Sequence, residues 1–319
     1  MDKKNLKNCR KAFEWACFWD VNVIKPGNVS YLSPGHKMTA LDFTKSAFAA
    51  ANHLFDSNLS IGEKVEKSIK ASYEKVHCNT NLGIILLCAP IIQTIQENPK
   101  IYENFKKSFF CGEFRKLLEG CLKEIDLKDT HAIYRAIEFA KPGGLGKRHE
   151  MDVRLKPTKK IIDAMKYASK EDFIAKQYSN NYQDIFFQPV FTFLDENSKF
   201  YDKNNLRLIK SQFSDLVQAI FLFWLLSEED THIKRKFGQK VACDVKNTAK
   251  FFLKDEINFQ NDVIKVKNGK ILVPDKKMLN ELDFLLKKGG FNPGTSADLT
   301  VCSIFLIGLQ LPEMADVRF

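Results

Sequence analysis

Apolar residues recur along most of this chain at spacings of three and four, the signature of helices that bury one face. Leu6–Val23 carries Phe13, Trp15, Ala16 and the run Trp19–Val23 on such a stripe. Leu41–Phe55 reads as an alanine-rich packed helix and Ser60–His77 as a charged amphipathic one. Thr80–Gln93 opens on a capping residue and then runs apolar, with Pro90 expected to kink or end it. The same periodicity predicts helices over 101–109, 112–125, 128–140, 158–176, 179–195, 204–227, 231–254, 275–288 and 295–310. One stretch breaks the pattern. Apolar and polar residues alternate on both sides of Asn268-Gly269, which predicts a small β-hairpin near residues 263–273. No repeat of roughly 20–50 residues, Gly/Ser linker or composition break divides the sequence. The expectation is an all-α fold, a single multi-helix domain over 1–319.

Composition narrows the class. With 319 residues, 45% of them hydrophobic and 12% aromatic, a large core can form, and 28% charged with few Gly and Pro excludes disordered and collagen-like chains. The longest apolar runs, Asn81–Ile92 and Leu216–Leu226, fall short of the roughly 18–20 residues that span a membrane. The first residues, Met1-Asp2-Lys3-Lys4-Asn5, lead into an amphipathic stretch without the apolar core of a signal peptide. A cytoplasmic protein with no membrane partner is expected. Lys plus Arg exceed Asp plus Glu by 10, which favours anionic partners. Nucleic acid ranks last among these, because the basic residues are dispersed and the aromatics sit in apolar runs. Lys64, Lys67, Lys70 and Lys75 read as a solvated helix face. The eight cysteines show no C-x-x-C pair and no zinc spacing, and read as reduced core residues.

The residues that break the helical pattern collect in five loops. Lys25-Pro26-Gly27-Asn28-Val29-Ser30 is a forced turn whose glycine lets a ligand approach the backbone, with a lysine beside it suited to phosphate; Glu14, His36 and Asp42 flank it. Asn79-Thr80-Asn81-Leu82-Gly83 can cap the next helix or present its N-terminus to an anion. Pro142-Gly143-Gly144-Leu145-Gly146-Lys147, followed by Glu150 and Asp152, is not a Walker loop, yet could hold a phosphate with its magnesium. Asp230-Thr231-His232, with Arg235 and Lys236, mixes an acid, an imidazole and two cations near a helix start. Asn292-Pro293-Gly294-Thr295-Ser296-Ala297-Asp298 is a tight turn with Thr295 or Ser296 as the expected cap. Asp298 falls in the first turn, where it could complement the helix dipole or coordinate a cation.

Taken in order, Lys-Pro-Gly-Asn-Val, Asn-Thr-Asn-Leu-Gly, Asp-Thr-His with Arg-Lys, and Asn-Pro-Gly-Thr-Ser-Ala-Asp-Leu resemble the triphosphoribosyl-dephospho-CoA synthase family from about Glu14 to Leu309. The resemblance implies an all-α, Mg²⁺-dependent transferase. It would move the 5-triphosphoribosyl group of ATP to the ribose 2′-hydroxyl of 3′-dephospho-CoA, or of a related hydroxyl acceptor, and release adenine. The product is the prosthetic-group precursor of citrate lyase and malonate decarboxylase acyl carriers. Asn81-Leu82 stands where those enzymes carry His-Lys, and the last motif is poorer in glycine, which marks a divergent branch.

On this reading Lys25, Arg235 and Lys236 hold the triphosphate, with the backbone of Gly27 and Gly294. Asn28, His36, Asn79, Thr80, Asn81, Asn292, Thr295 and Ser296 complete the nucleotide site. Glu14, Asp42, Asp152 and Asp298 are the candidate metal ligands, drawn from a set that also includes Glu150 and Asp230. Asp230 or Glu150 serves as general base, and His232 or His36 positions the base or a phosphate. A homodimer is compatible with the sequence. The alternative function is a nucleotide-binding regulatory or assembly protein that kept the fold and lost the reaction.

Overall fold

The computed structural model describes residues 1–103, 105, 112–146, 150–190, 212–253, 266–267 and 270–310, with the backbone alone at 266, 267 and 270. Fifteen α-helices occur among the described residues. They are α1 (Lys3–Asn22), α2 (Ala40–Leu54), α3 (Ile61–Val76), α4 (Leu82–Glu97), α5 (Pro99–Glu103), α6 (Glu113–Glu124), α7 (Leu127–Ala140), α8 (Ile161–Ala168), α9 (Phe173–Ser179), α10 (Gln183–Ile185), α11 (Phe213–Ser227), α12 (Thr231–Phe237), α13 (Gln239–Leu253), α14 (Lys276–Lys288) and α15 (Gly294–Gln310). A π-helical turn, Phe186–Val190, continues α10. The all-α expectation is met. The parts of the expected helices 101–109, 179–195, 204–227 and 231–254 that fall on 104, 106–111, 191–211 and 254 lie outside the described residues.

Three details differ from the periodicity. The stretch 158–176 divides at Asp172, whose carboxylate accepts the Ile174 and Ala175 amides and so starts a new helix. The stretch 231–254 divides at Gly238, whose φ of 92° no helix tolerates. The hairpin expected near 263–273 is not borne out as a ribbon. Pairing is confined to Val266 opposite Ile271 and Lys267 opposite Lys270, Leu272 and Val273 leave the ladder, and 263–265 and 268–269 lie outside the described residues. Two rungs offer too few hydrogen bonds and too little buried face to make an independent element.

The chain folds as two compact units. Met1–Cys17, Asp42–Gln183 and the segment from Gly308 form the first; Phe18–Leu41 and Asp184–Ile307 form the second. In the first unit α4 is apolar on every side and buried along almost its whole length. Pro90 neither ends nor breaks it. A proline cannot supply the N–H that the Leu86 carbonyl would receive four residues earlier. Tyr178 Oη on α9 donates to that carbonyl instead, at 2.6 Å, and Tyr182 Oη donates to Leu87 O at 2.9 Å. On α3, Ser60 and Glu63 form a capping box, and a Cβ at Gly62 would lie 2.6 Å from the Asp129 backbone, so glycine sets the close approach of α3 to α7. Lys64 corrects its sequence reading. It is fully buried, its ammonium donating to Gln96 Oε1 at 2.6 Å and to Gln93 Oε1.

The second unit is built on α11. Its Phe221, Leu222, Leu225 and Leu226 pack with Ile233 of α12, Ala242, Val245, Ala249 and Leu253 of α13, Leu279, Leu282 and Leu286 of α14, and Ala297 of α15. This core fixes the starts of α12 and α15 and the face of α14. No helix among the described residues is long and apolar enough to cross a membrane.

Candidate active site

Two Pro-Gly turns of the second unit are stitched together. After α1 ends, the Asn28 amide donates to Lys25 O at 2.8 Å, closing the Lys25-Pro26-Gly27 turn, and Gly27 takes φ of 81°. A Cβ at Gly27 would stand 2.9 Å from both Phe291 O and Pro293 Cδ, so only glycine lets this turn meet the Asn292-Pro293-Gly294 turn. Lys25 is fully buried. Its ammonium pairs with Asp20 Oδ1, donates to Asn28 Oδ1 at 2.8 Å and lies 5.6 Å from the Phe221 ring centroid. Asn28 Nδ2 in turn donates to Asn292 Oδ1 at 2.9 Å. Burial lowers the Lys25 pKa and raises that of Asp20, and their mutual attraction opposes both shifts. His36 Nε2 donates to Gly27 O at 2.8 Å; burial is the main cause that lowers the His36 pKa.

One carboxylate caps two helices. Asp230 Oδ1 accepts the His232 and Ile233 amides at 2.9 and 3.1 Å, which starts α12. Its Oδ2 accepts the Ser296 amide at 2.8 Å and Ser296 Oγ at 2.9 Å, which starts α15. The cap of α15 is thus supplied from 66 positions away rather than by Thr295 or Ser296. Thr295 Oγ1 is spent on the His232 amide, at 3.1 Å, and on Thr231 Oγ1, at 3.0 Å. All four acceptor positions of Asp230 are occupied by protein donors.

The open chemistry lies beside that clamp. The His232 ring packs against Gly294, where a Cβ would collide with Nδ1. Its nitrogens make no hydrogen bond among the described residues. Burial, then the charges of Arg235, Lys236 and His36, lower its pKa to about 3, so the ring is neutral at pH 7. Asp298, in the first turns of α15, is half-buried and likewise has no hydrogen bond among the described residues. Burial first, and then the carboxylates of Asp20 and Asp230, raise its pKa well above the usual range, while Arg235 and Lys25 pull it down. Arg235 is half-buried and Lys236 exposed.

A family model described as ATP:dephospho-CoA triphosphoribosyl transferase matches residues 7–316. The chain belongs to this family. It is a triphosphoribosyl-dephospho-CoA synthase-like transferase. The fold resembles that of a crystal structure from Archaeoglobus fulgidus, described as a candidate triphosphoribosyl-dephospho-CoA synthase. The two share 20% identity and a TM-score of 0.55, over 82% of this chain and 95% of that one. No curated protein matches the sequence.

The motif residues of this family member divide between the units. Lys25, Gly27, Asn28, His36, Asp230, His232, Arg235, Lys236, Asn292, Gly294, Thr295, Ser296 and Asp298 fall in the second; Glu14, Asp42, Asn79, Thr80, Asn81, Glu150 and Asp152 in the first. There Asn81 precedes α4 without capping it: Nδ2 donates to Ser46 Oγ at 2.8 Å and to Phe43 O at 3.3 Å, and Thr80 Oγ1 donates to Ser46 Oγ at 2.7 Å. Asn79 is exposed, Asp42 half-buried in the first turn of α2, and Glu150 exposed. Glu14 accepts from Arg10 Nε at 2.7 Å. Asp152 is buried and held by Arg154, which also donates to Gly146 O. Lys147, next to that glycine, lies outside the described residues.

Among the described residues no group of three or more His, Cys, Asp or Glu side chains could hold a metal ion. Sequence reasoning missed Asp20, Asp283 and Ser33. Asp20 falls within the helical stripe Leu6–Val23, and Asp283 with Lys287 has the four-residue spacing of any helical ion pair, so neither carries a sequence signal of its own.

Proposed function

We propose that this transferase moves the 5-triphosphoribosyl group of ATP to the 2′-hydroxyl of 3′-dephospho-CoA, with Mg²⁺ and with release of adenine. The supporting observation is the cluster in the second unit, in which a carboxylate without a hydrogen bond, a neutral imidazole and two cations surround a rigid pair of turns inside a chain that carries the family from end to end. In the reaction the bond from ribose C1′ to adenine N9 breaks, its electron pair leaves with adenine, and adenine takes a proton. The bond from C1′ to the acceptor oxygen forms as the hydroxyl proton departs. Charge at C1′ is oxocarbenium-like in such transfers.

Mg²⁺ bound to the triphosphate would supply neutralisation of its charge, with Asp298 as its protein ligand. Arg235 and Lys236 face the phosphates. His232 takes the hydroxyl proton. Burial first, and then Arg235 and Lys236, hold its pKa down, and an anionic triphosphate would offset the part due to the two cations. Asp230 keeps His232 and Ser296 in place, and Lys25, expected from sequence to hold the triphosphate, is instead buried against Asp20 and Asn28, where it shapes the first turn.

The deciding experiment incubates the purified protein with ATP and Mg²⁺, with and without 3′-dephospho-CoA, and reads products by chromatography and mass. Adenine with a triphosphoribosyl adduct of 3′-dephospho-CoA supports the reading. ATP binding without adenine release favours the alternative, a nucleotide-binding protein that has lost the reaction.

A further inference from the structure

The structure assigns Asp283 as a positioning residue of the transferase site, an inference that rests on the nucleotide reading of the second-unit cluster. Asp283 lies on α14 and is only 5% exposed. Its Oδ1 accepts the Gly27 amide at 2.8 Å. Its Oδ2 accepts Ser33 Oγ at 2.5 Å and the Lys287 ammonium at 3.0 Å. Lys287, one turn further along α14, also donates to Ser33 O at 2.7 Å and Ser33 Oγ at 2.6 Å. Adjacent turns of one helix therefore grip both ends of the Gly27–Ser33 loop. The Ser30 and Ser33 backbones close the loop on themselves, at 3.0 and 3.2 Å.

A buried ion pair is a poor choice for stability alone, since apolar side chains of similar volume often serve better. A carboxylate here adds direction. Asp283 fixes the Gly27 N–H and His36 holds the Gly27 carbonyl, so that residue is held from both sides. The side chains flanking it, Lys25 and Asn28, run to Asp20 and Asn292, the residue that opens the turn into α15 and Asp298. Asp283 acts on the reacting groups only through this turn.

The test compares Asp283→Ala and Asp283→Asn in the full chain, reading steady-state adenine release, KM for Mg·ATP, Tm, and amide exchange over Gly27–His36. Asp283→Ala is expected to lower kcat/KM by about tenfold or more, since displacing a site by about 1 Å can cost ~10²-fold. Asp283→Asn still offers an oxygen to Gly27 N–H and an amide to Ser33 Oγ; it gives up the Lys287 contact, and is expected to recover to within about threefold of wild type, with slow Gly27 exchange. A folded Asp283→Ala protein with wild-type kcat and KM overturns the inference. So does an Asp283→Asn protein as slow as Asp283→Ala while its Gly27 exchange stays slow. If Asp283→Ala does not fold, Ser33→Ala and Lys287→Met remove the carboxylate's supports, and unchanged kinetics in both overturn it. A wild-type protein that releases no adenine refutes the reaction alone. ATP affinity, by equilibrium dialysis, then decides: weaker binding by Asp283→Ala upholds the inference, and equal binding overturns it.

Discussion

Two aspartates of the second unit, Asp230 and Asp298, should respond oppositely to the same change. Asp230→Asn keeps one oxygen and turns an amide towards either the α12 or the α15 amides. Towards α12 the amide would face two N–H donors; towards α15 it can donate to the Ser296 hydroxyl and strands only the Ser296 N–H, so that orientation is the cheaper one. For one stranded buried donor the cost is about 1–3 kcal/mol. Burial already disfavours the Asp230 charge, which places the result towards the lower end. For a chain of 319 residues, at ~2.1 cal/mol/K of unfolding entropy per residue, the fall in Tm is about 2–4 °C. Asp298→Asn loses no hydrogen bond and removes a charge that burial and two neighbouring carboxylates oppose, so its Tm holds or rises while turnover is abolished. Thermal unfolding followed by circular dichroism at pH 7, with adenine release well below either Tm, reads both effects. Equal losses of stability in the two variants would refute the assignment of clamp to Asp230 and ligand site to Asp298.

Other substitutions probe other links. Tyr178→Phe leaves the Leu86 carbonyl without a donor and should cost about 1–3 kcal/mol in urea unfolding, but much less in a Pro90→Ala background, where residue 90 regains its N–H. Gly294→Ala should drive the His232 ring from its place and lower kcat by about tenfold or more, with a small change in Tm, read by adenine release. Burial lowers the Lys64 pKa from 10.5 to about 8, so the folded state bears a cost that is full below pH 8 and vanishes as pH rises past the unfolded value. The wild type should therefore gain stability relative to Lys64→Met between pH 8 and 10.5, by about 2–3 kcal/mol after screening. Parallel pH–stability curves for the two proteins would refute this.

The helices were legible because their apolar stripes are long and strongly periodic, and the motif loops because Gly, Pro, Asn and Asp interrupt those stripes. Boundaries were less so. Gly238 and Asp172 act within a single residue, where a periodic pattern is coarse, and that Pro90 does not end its helix rests on Tyr178, 92 positions from Leu86. Lys64 spaces like its solvated neighbours Lys67 and Lys70, yet the acceptors that let it be buried, Gln93 and Gln96, belong to another helix. The same blindness touches the site. Sequence could mark Asp230 as chemical, but that its four acceptor positions are filled by α12 and α15 is a tertiary fact. Asp298 keeps its candidacy because no donor among the described residues satisfies it.

The clamp at Asp230 also has a temporal meaning. Residues 25–28 and 230 leave the ribosome well before residues 283–298, yet each depends on them: Gly27 on Asp283, Asn28 on Asn292, and Asp230 on Ser296 for two of its four donors. Until α14 and α15 have been synthesised and docked, Asp230 lacks its two Ser296 donors, Gly27 lacks Asp283 and Asn28 lacks Asn292. A nascent chain therefore has no half-working version of the site to offer a nucleotide, and its two turns become competent together, late in synthesis.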